Sequence, residues 1–449
     1  MSVDVRSKGF ADAPDLRDLG RCVRCGYCLC ECPTYLETGL ETESPRGRLY
    51  LIQALTEGRV PASRELLSHL DLCVQCRACE PACPSGVPFG RIMEHGRALV
   101  LQQGESLPRH WRLRARLASL FLPHPGRLRL VARLLRLYQR FGLQRVVRST
   151  HLLKPFPGHL YDMEQFLPPL PEGVLAPAPV TEPTRSAGPP HRVALLAGCV
   201  TPILYPNLNE ATVRVLARNG CQVFVPPEQT CCGALSVHAG DLETARRLAR
   251  QNIDVFLPLG VEAVLANAAG CGAALKEYGH LLKDDPNYAE KAAAFSALVK
   301  DISEFLVSLP FDPEMGRMDG RVTYQDSCHL AHAQGARLQP RAILQAIPGL
   351  EFVEMAHPDR CCGSGGVYNL AQPEMSWRLL KEKMRDVARA KVSIVATANT
   401  GCMMQLEAGL RRYGPRGPNV AQVAQVAHVV ELLDEAYRRL DRYVESSQR

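Results

Sequence analysis

Two copies of one cysteine spacing near the start of the chain could hold inorganic redox centres. Each copy reads C-x-x-C-x-x-C-x-x-x-C-P, a spacing with which cysteine thiolates bind [4Fe–4S] clusters. The first copy comprises Cys22, Cys25, Cys28, Cys32 and Pro33, and the second comprises Cys73, Cys76, Cys79, Cys83 and Pro84. Because such clusters carry electrons, the pattern predicts electron-transfer chemistry.

The fourth cysteine of each copy is predicted to ligate the cluster of the other copy. Three closely spaced thiolates wrap around one corner of a cubane, whereas the fourth lies too far along the chain to close the same cluster. One [4Fe–4S] cluster is assigned to Cys22, Cys25, Cys28 and Cys83, and the other to Cys73, Cys76, Cys79 and Cys32. Structural zinc also binds paired C-x-x-C, but it has no use for the third and fourth cysteines at this spacing.

The second half of the chain carries a further cysteine pattern, and that pattern is duplicated. Each copy has a lone cysteine after an apolar run, then a Cys-Cys-Gly triplet, then another lone cysteine after a second apolar run. Corresponding cysteines lie 129, 130 and 131 residues apart, which indicates an internal repeat. The candidate ligands are Cys199, Cys231, Cys232 and Cys271 in the first repeat, and Cys328, Cys361, Cys362 and Cys402 in the second.

Four thiolates per repeat are enough for a further iron–sulfur cluster, so one or two more clusters are predicted there. Zinc binding, or redox-active cysteine neighbours without a metal, are alternatives that the residues leave open. Nearby His238, His329 and His332 are interpreted as hydrogen-bonding neighbours of a metal site and not as ligands. Cys30 and Cys221 fall outside both patterns and are predicted to be buried thiols without a ligand role.

The elements that must position these cysteines differ between the two halves of the chain. Pro45 stands where a helix could begin, with Leu49 and Ile52 at helical spacing behind it. The repeats alternate short apolar runs with helical stretches such as 209–218 and 374–390, as βα units around a parallel sheet do. Loops at the carboxyl ends of such strands meet at one crevice, which would gather the cysteines. The predicted class is multidomain α+β, with an α-helical ferredoxin followed by a duplicated α/β cysteine-rich domain.

Length and composition set the outer limits of this organisation. A chain of 449 residues with 46% hydrophobic content predicts a soluble globular protein of two or three domains. We expect a cytoplasmic location, because residues 1–20 contain no apolar stretch of the secretory type and no apolar run approaches the roughly 20 residues of a membrane span. The predicted boundaries are 1–105 for the ferredoxin-type domain, 106–166 for a basic helical segment, 167–190 for a proline-rich linker, 191–310 for the first repeat and 320–440 for the second.

The basic segment has an unusual charge pattern. No acidic residue occurs between Glu105 and Asp162, whereas arginines alternate with leucines over residues 109–148 in two helical pieces. A basic amphipathic pattern of this kind favours contact with an acidic partner, or with a quinone or the membrane at the inner face of the cell membrane. A helical layer that packs on the ferredoxin region and leaves its arginines in solvent explains the pattern equally well. Nucleic acid is not expected as a partner, because no aromatic residues interleave with the charge.

Taken together, these residues resemble the iron–sulfur subunits of glycolate oxidase, also called glycolate dehydrogenase, within a larger group of cysteine-rich CCG proteins. The resemblance covers nearly the whole chain, and anaerobic glycerol-3-phosphate dehydrogenase and heterodisulfide reductase contain subunits with the same two parts. It is carried by CVRCGYCLCECPTY at 22–35, SPRGRLYLI at 44–52, CVQCRACEPACPSGV at 73–87, NAAGCGAALKEYG at 267–279 and CCGSGGVYNL at 361–370.

The resemblance implies an electron-transfer subunit that is inactive alone. Its FAD-containing partner subunit would oxidise glycolate to glyoxylate, and also act on D-lactate, and the clusters would pass the electrons to a quinone or another acceptor. The heterodisulfide reductase pattern ends each repeat in C-x-x-C, whereas this chain has Ala274 and Gln405 in place of the last cysteine. The alternatives are a catalytic CCG protein that reduces a disulfide at a repeat cluster, or the iron–sulfur subunit of another FAD-linked dehydrogenase, acting on lactate or glycerol 3-phosphate.

The residues favour the electron-transfer role independently of the resemblance. The sequence has no G-x-G-x-x-G at a predicted strand-to-helix turn, so no flavin or nicotinamide site is expected. Because iron–sulfur clusters take electrons singly, oxidation of a substrate by an electron pair must occur on another subunit.

Overall fold

The structure is a computed structural model that describes residues 12–103, 124–156, 159–171, 178–185, 188–414 and 425–447. Helices and strands are numbered here in chain order. The strands are β1 Val180–Thr181, β2 His191–Leu196, β3 Cys221–Phe224, β4 Ala263–Ala266, β5 Val299–Asp301, β6 Gly320–Tyr324, β7 Leu350–Phe352, β8 Ile394–Thr397 and β9 Gln425–His428. The helices are α1 Leu16–Gly20, α2 Pro33–Thr38, α3 Pro45–Thr56, α4 Arg64–Asp71, α5 Phe89–Gln102, α6 Pro125–Arg140, α7 Leu143–Thr150, α8 Leu160–Phe166, α9 Thr201–Leu204, α10 Pro206–Arg218, α11 Ala234–His238, α12 Leu242–Phe256, α13 Ala269–Lys276, α14 Tyr278–Leu281, α15 Ala289–Leu298, α16 Ile302–Ser308, α17 Leu338–Ala346, α18 Tyr368–Ala371, α19 Pro373–Ala390, α20 Thr400–Tyr413 and α21 Val429–Ser447.

The amino-terminal region consists of short helices that surround the two cysteine runs. Helix α3 begins where the sequence predicts a helix, because Ser44 caps it by accepting a hydrogen bond from the Gly47 amide and a proline follows in the first turn. Ile52 of α3, Leu70 of α4 and Met93 of α5 are buried in one hydrophobic cluster. That cluster holds the helices on which the cysteine loops are mounted.

Each cysteine-rich repeat contains a mainly parallel sheet with helices between its strands. The first sheet has the order β1-β3-β2-β4-β5 and is parallel apart from the edge strand β1. The second has the order β7-β6-β8-β9 and is parallel throughout. All four residues of β4 are buried, as expected where helices cover both faces of a parallel sheet. The prediction of βα units around parallel sheets is confirmed.

A single hydrophobic core joins the two repeats. It includes Val193 of the first sheet and Val322 of the second, both without exposed surface. Helix α10 of the first repeat packs on α21 at the end of the chain. Arg214 of α10 and Asp434 of α21 form an ion pair at 2.6 Å across this contact. The cysteine loops of both repeats are therefore carried by one shared body.

Several sequence expectations fall outside these sheets and helices. The predicted linker contributes the short strand β1, which a proline-rich segment can supply because it pairs at a sheet edge. The prediction that Cys30 is buried is wrong, because its loop turns the side chain outward and its Sγ lies 3.1 Å from Tyr27 O. Cys221 is fully buried, as predicted. Residues 106–123 of the basic segment lie outside the described residues. The predicted domain boundaries stay a prediction.

In the described ranges, none of the helices combines the length and apolar character needed to cross a bilayer.

Candidate metal centres

Five cysteines line one cavity on the surface of the ferredoxin region, and we call four of them site 1. Cys22, Cys25 and Cys28 come from the first run, and Cys83 is brought to them from the end of the second. Burial raises the pKa of Cys28 to about 11, and the nearby charges of Cys22 and Cys83 add to this effect. Cys25 is exposed, so site 1 faces solvent.

The loops of the two runs turn through left-handed residues at matching positions. Cys25 lies between Arg24 and Gly26, whose φ angles are 58° and 89°, and the residues on either side of Cys76 have φ angles of 57° and 61°. A non-glycine residue in this region costs about 1 kcal/mol, so it persists only where its surroundings hold it. In both loops, therefore, the residues on either side of the second cysteine have the same left-handed backbone conformation.

Site 2 consists of Cys32, Cys73, Cys76 and Cys79, all of which are buried. Burial raises the pKa values of Cys76 and Cys79 well above the usual range, and the charges of Cys32 and Cys73 raise both further. Cys32 belongs to the first run, so the structure brings together the side chains that the crossed pattern requires. Ligation of a cluster by these groups stays a prediction.

A buried arginine beside site 2 was not singled out from the sequence. Arg48 pairs with Glu43 at 2.7 Å and donates to Thr34 Oγ1 at 3.0 Å, and that hydroxyl lies 3.3 Å from Cys32 Sγ. The guanidinium is close enough to Cys32 and Cys73 to interact with their charges. It offsets negative charge that would otherwise be costly in a buried site. The sequence feature that could have identified Arg48 is the position of this arginine on the inward face of α3.

Site 3 lies in the second repeat and consists of Cys328, Cys361, Cys362 and Cys402. Cys361 interacts directly with Cys328 and Cys362, and Cys362 interacts with Cys402. The Gly363 amide donates to Cys361 Sγ at 3.4 Å. The lone cysteines follow strands β6 and β8, which are parallel neighbours, as predicted for residues that meet at one sheet edge.

Site 3 lies directly against site 2. Cys76 is packed with Cys361 and Cys328 in one buried cluster, and the charges of these cysteines affect one another. Tyr368 fixes the contact, because its hydroxyl donates to Leu72 O at 2.9 Å, just before the second cysteine run. Two groups of cysteines that are distant in sequence are therefore contiguous in space.

Site 4 lies in the first repeat and consists of Cys199, Cys231, Cys232 and Cys271. The Sγ atoms of Cys199 and Cys231 are 3.6 Å apart, and Cys232 interacts with both Cys231 and Cys271. This connected set resembles that of site 3, as the repeat predicts.

Asn399 connects sites 3 and 4. Its Nδ2 donates to Cys402 Sγ at 3.4 Å, and its Oδ1 accepts from the amide of Gly270, next to Cys271, at 3.5 Å. At the other end of the series, Cys79 of site 2 also lines the cavity of site 1. The sites therefore follow one another in the order 1, 2, 3 and 4.

The donors in these sites are thiols supported by backbone amides. The amides of Gln75, Gly233 and Gly363 each donate to a cysteine Sγ at 3.4 Å. Hydrogen bonds to sulfur stabilise negative charge and tune cluster potentials, so this donor set fits iron–sulfur clusters. Over the part of the chain that is described, no three His, Cys, Asp or Glu side chains are close enough to surround a single metal ion.

Three family profiles match the chain. They are a "4Fe-4S dicluster domain" over residues 18–87, a "Glycolate oxidase iron-sulfur subunit, linker region" over 112–167, and a "Cysteine-rich domain" over 193–276 and 322–407. A "Probable glycolate oxidase iron-sulfur subunit" of Bacillus subtilis is 44% identical over 414 residues, which cover 91% of this chain and 93% of that protein. The chain belongs to the family of glycolate oxidase iron–sulfur subunits. The resemblance drawn from the sequence motifs is confirmed.

Other relatives show that this family is part of a wider group of proteins. The "Glycolate oxidase iron-sulfur subunit" of Escherichia coli is 36% identical over 400 residues, which cover 88% of this chain and 91% of that protein. A "Lactate utilization protein A" of Oceanobacillus iheyensis is 34% identical over 224 residues, which cover 50% of this chain and 91% of that protein. A solved structure, described as a hypothetical protein from Helicobacter pylori, shares the fold with a TM-score of 0.53 and 10% identity, covering 98% of this chain and 78% of that one.

In this chain, the histidines near the cysteines form hydrogen bonds with groups other than cysteine. His329 Nε2 donates to Gln75 O at 2.8 Å, and His238 Nδ1 lies 3.2 Å from Glu94 Oε1. His332 Nδ1 accepts a hydrogen bond from an arginine. Burial lowers the pKa values of His238 and His329 to about 3, so both rings are neutral near pH 7.

Proposed function

We propose that this subunit carries electrons from a FAD-containing partner subunit, which oxidises glycolate to glyoxylate, to an external acceptor. The observation that carries the proposal is that Cys76 and Cys361 are packed in one buried cluster, which places sites 2 and 3 next to each other. Site 1 is exposed at one end of the series, where a partner could deliver electrons. Site 4 lies at the other end, linked to site 3 by Asn399.

The proposed cofactors are two [4Fe–4S] clusters in sites 1 and 2, and one or two more clusters in sites 3 and 4. Such clusters would supply exchange of single electrons. The protein's own part is to hold the thiolates, to donate amides to sulfur and to place Arg48 beside the buried site 2. FAD is proposed to be on the partner, because glycolate loses an electron pair and the clusters accept electrons singly.

Lactate is a second candidate substrate for the flavin partner. It is favoured by the likeness to the lactate utilization protein, which spans half of this chain. D-lactate and glycolate are both 2-hydroxy acids, so the same flavin chemistry serves either. The choice between them lies on the partner subunit, while this chain's role as an electron carrier is the same for both.

We also propose that helices α6 and α7 form a surface that binds peripherally to the inner face of the cell membrane. Leu130, Leu134, Leu137 and Phe141 recur at helical spacing and are between 46% and 74% exposed. Exposed arginines alternate with them. On the opposite side, Leu128 packs on the core of the first repeat. An apolar stripe flanked by arginines suits the interface of an anionic membrane.

The test compares the purified iron–sulfur subunit with the complex that includes its flavoprotein partner. Glycolate-dependent reduction of an artificial dye is expected in the complex and absent in the lone subunit. Turnover of glycolate by the lone subunit would contradict the proposal. Reduction of a disulfide by the lone chemically reduced subunit would instead favour a catalytic role for the repeats.

A further inference from the structure

A cavity of about 540 Å³ lies between the ferredoxin region and the first repeat. Glu94 and His95 of α5 contribute one wall, and His238 and Cys232 contribute another. The cavity therefore reaches site 4 at Cys232. The exposed residue Lys283 also lines it, which places its mouth at the protein surface.

A carboxyl on one wall of this cavity and an imidazole on the other share a hydrogen bond. Glu94 is buried, and its Oε1 lies 3.2 Å from His238 Nδ1. Burial raises the pKa of Glu94 above its usual range, and the nearby charge of Glu277 raises it further. His238 is neutral near pH 7, so the protonated carboxyl of Glu94 can donate to its ring. This pair holds a transferable proton inside the protein.

Two other carboxylates near Glu94 share one arginine. Arg77 donates to Glu277 at 2.7 Å and to Glu80 at 2.9 Å. Burial disfavours the charged form of Glu277, but Arg77 holds the pKa of Glu277 below the usual range. One guanidinium thus forms ion pairs with the carboxylates of both Glu277 and Glu80, whereas Glu94 faces an imidazole. Of these three carboxyl groups, Glu94 is therefore the one that holds a proton.

We propose that this cavity binds the head group of a quinone and that Glu94 gives it a proton as it is reduced. The inference rests on the proposed function, for which it names the class of the electron acceptor. A quinone is a planar ring with two carbonyl oxygens, and the cavity offers ring neighbours in His95, His280 and Tyr278. Electrons reach its wall at Cys232, and protons are available at Glu94 and at the mouth.

A disulfide would also take up two electrons and two protons, but this cavity suits it less well. Reduction of a disulfide by exchange with a protein thiol, as distinct from reduction at a cluster, requires an attacking thiolate. Among the described residues that line the cavity, Cys232 is the one cysteine, and it belongs to site 4. Carbonyl oxygens, by contrast, need only hydrogen-bond donors, and the lining includes the basic side chains of Arg17, Arg246 and Lys283.

Reduction of the quinone consumes as many electrons and protons as oxidation of glycolate releases. Glycolate would give two electrons and two protons to the flavin of the partner, which would release the protons to solvent as its electrons pass singly to the quinone. Both carbonyl groups of the quinone become hydroxyl groups, giving the hydroquinone. One proton comes from the Glu94 carboxyl and the other from solvent at the cavity mouth. Glu94 then takes back a proton from solvent.

The experiment uses the complete complex and the probe 2-methyl-1,4-naphthoquinone. The Kd of the probe is measured by calorimetry on the cluster-containing subunit, and kcat is measured for glycolate-driven reduction of the probe. Ala274→Phe narrows the cavity and is expected to raise Kd about tenfold. Glu94→Gln keeps the shape but removes the acid, and is expected to lower kcat about tenfold or more with Kd within about twofold of wild type. Glu290→Gln, on the exposed face of α15, is the matched control.

The Kd of Ala274→Phe and the kcat of Glu94→Gln decide whether the cavity is a quinone site. An unchanged Kd for Ala274→Phe with intact cluster spectra, or an unchanged kcat for Glu94→Gln, would overturn the quinone site. Reduction of a disulfide probe that Ala274→Phe blocks, while quinone reduction continues, would also overturn it. If Ala274→Phe fails to fold, Glu94→Gln decides. Absence of glycolate-driven dye reduction in the wild-type complex would contradict the proposed function instead, and the Kd measurements would still test the cavity.

Discussion

Lys383 in the second repeat corresponds to Asn252 in the first, 131 residues earlier, and both are buried beneath a cysteine doublet. Asn252 Nδ2 donates to Cys231 O at 3.1 Å. Lys383 Nζ donates to the carbonyls of the loop that precedes Cys361. One repeat therefore supports its doublet with a neutral amide and the other with an ammonium group. This difference distinguishes the electrostatic environments of sites 4 and 3.

Replacing Lys383 by methionine should lower the reduction potential of a cluster in site 3. Burial lowers the pKa of Lys383 to about 8, so the group is charged at pH 7 and favours the reduced, more negative cluster. Its loss should shift the midpoint by on the order of 60 mV, a tenfold change for a one-electron couple. An EPR-monitored redox titration measures this shift. Lys381→Met, at an exposed position of the same helix, is the control, and equal midpoints in the two variants would refute the assignment.

Cys32→Ser should remove the cluster of site 2 and spare that of site 1. Cys32 lies with Cys73, Cys76 and Cys79, although it belongs to the first run. Iron analysis should show a loss of about four irons per chain, with one set of [4Fe–4S] EPR signals retained. Cys30→Ser removes an exposed thiol of the same run and should keep every cluster. Loss of the site 1 signals in Cys32→Ser would mean that each run holds its own cluster.

His428 should make the protein less stable in mild acid. It has no exposed surface, and burial lowers its pKa to about 4. Because the unfolded value is about 6.5, the unfolded chain binds the proton first, so stability is lost as the pH falls from about 6.5 towards 4. Between pH 7.5 and 5.5 the free energy of unfolding should fall by about 1 kcal/mol more in wild type than in His428→Gln. Anaerobic urea titrations at both pH values test this, with the exposed His151→Gln as control, and parallel losses in all three proteins would contradict it.

The surface of α6 and α7 should bind anionic vesicles. Arg133 and Arg140 are exposed beside the apolar stripe, so replacing both by glutamine should weaken cosedimentation with phosphatidylglycerol vesicles several-fold. Binding by wild type should also weaken at high salt, because surface charge is screened. Arg378→Gln with Arg438→Gln changes the net charge equally at exposed sites elsewhere. Equal loss of binding in both double variants would exclude a localised surface.

The cysteine runs and the parallel sheets could be predicted because their signals are local. Spacing indicated that Cys32 and Cys83 cross between runs, and the repeat offsets placed cysteines after corresponding strands. The packing of Cys76 and Cys361 in one cluster could not be predicted, because it depends on how two separately encoded regions pack. Arg48 was missed for a related reason, since its charge is matched only after Glu43 folds against it. The exposed Cys30 shows that a position outside the ligand spacing of a cysteine run does not determine whether the thiol is buried.

The central claim is that electrons from glycolate enter the clusters of this chain only through a flavin partner. The most direct measurement is EPR of the anaerobic subunit after mixing with partner, with glycolate, or with both. Reduced [4Fe–4S] signals are predicted only when both are present, and iron with acid-labile sulfide should total about eight of each per chain for sites 1 and 2, rising to about twelve to sixteen if sites 3 and 4 are filled. Cluster reduction by glycolate without the partner, or clusters that stay oxidised with both present, would contradict the claim.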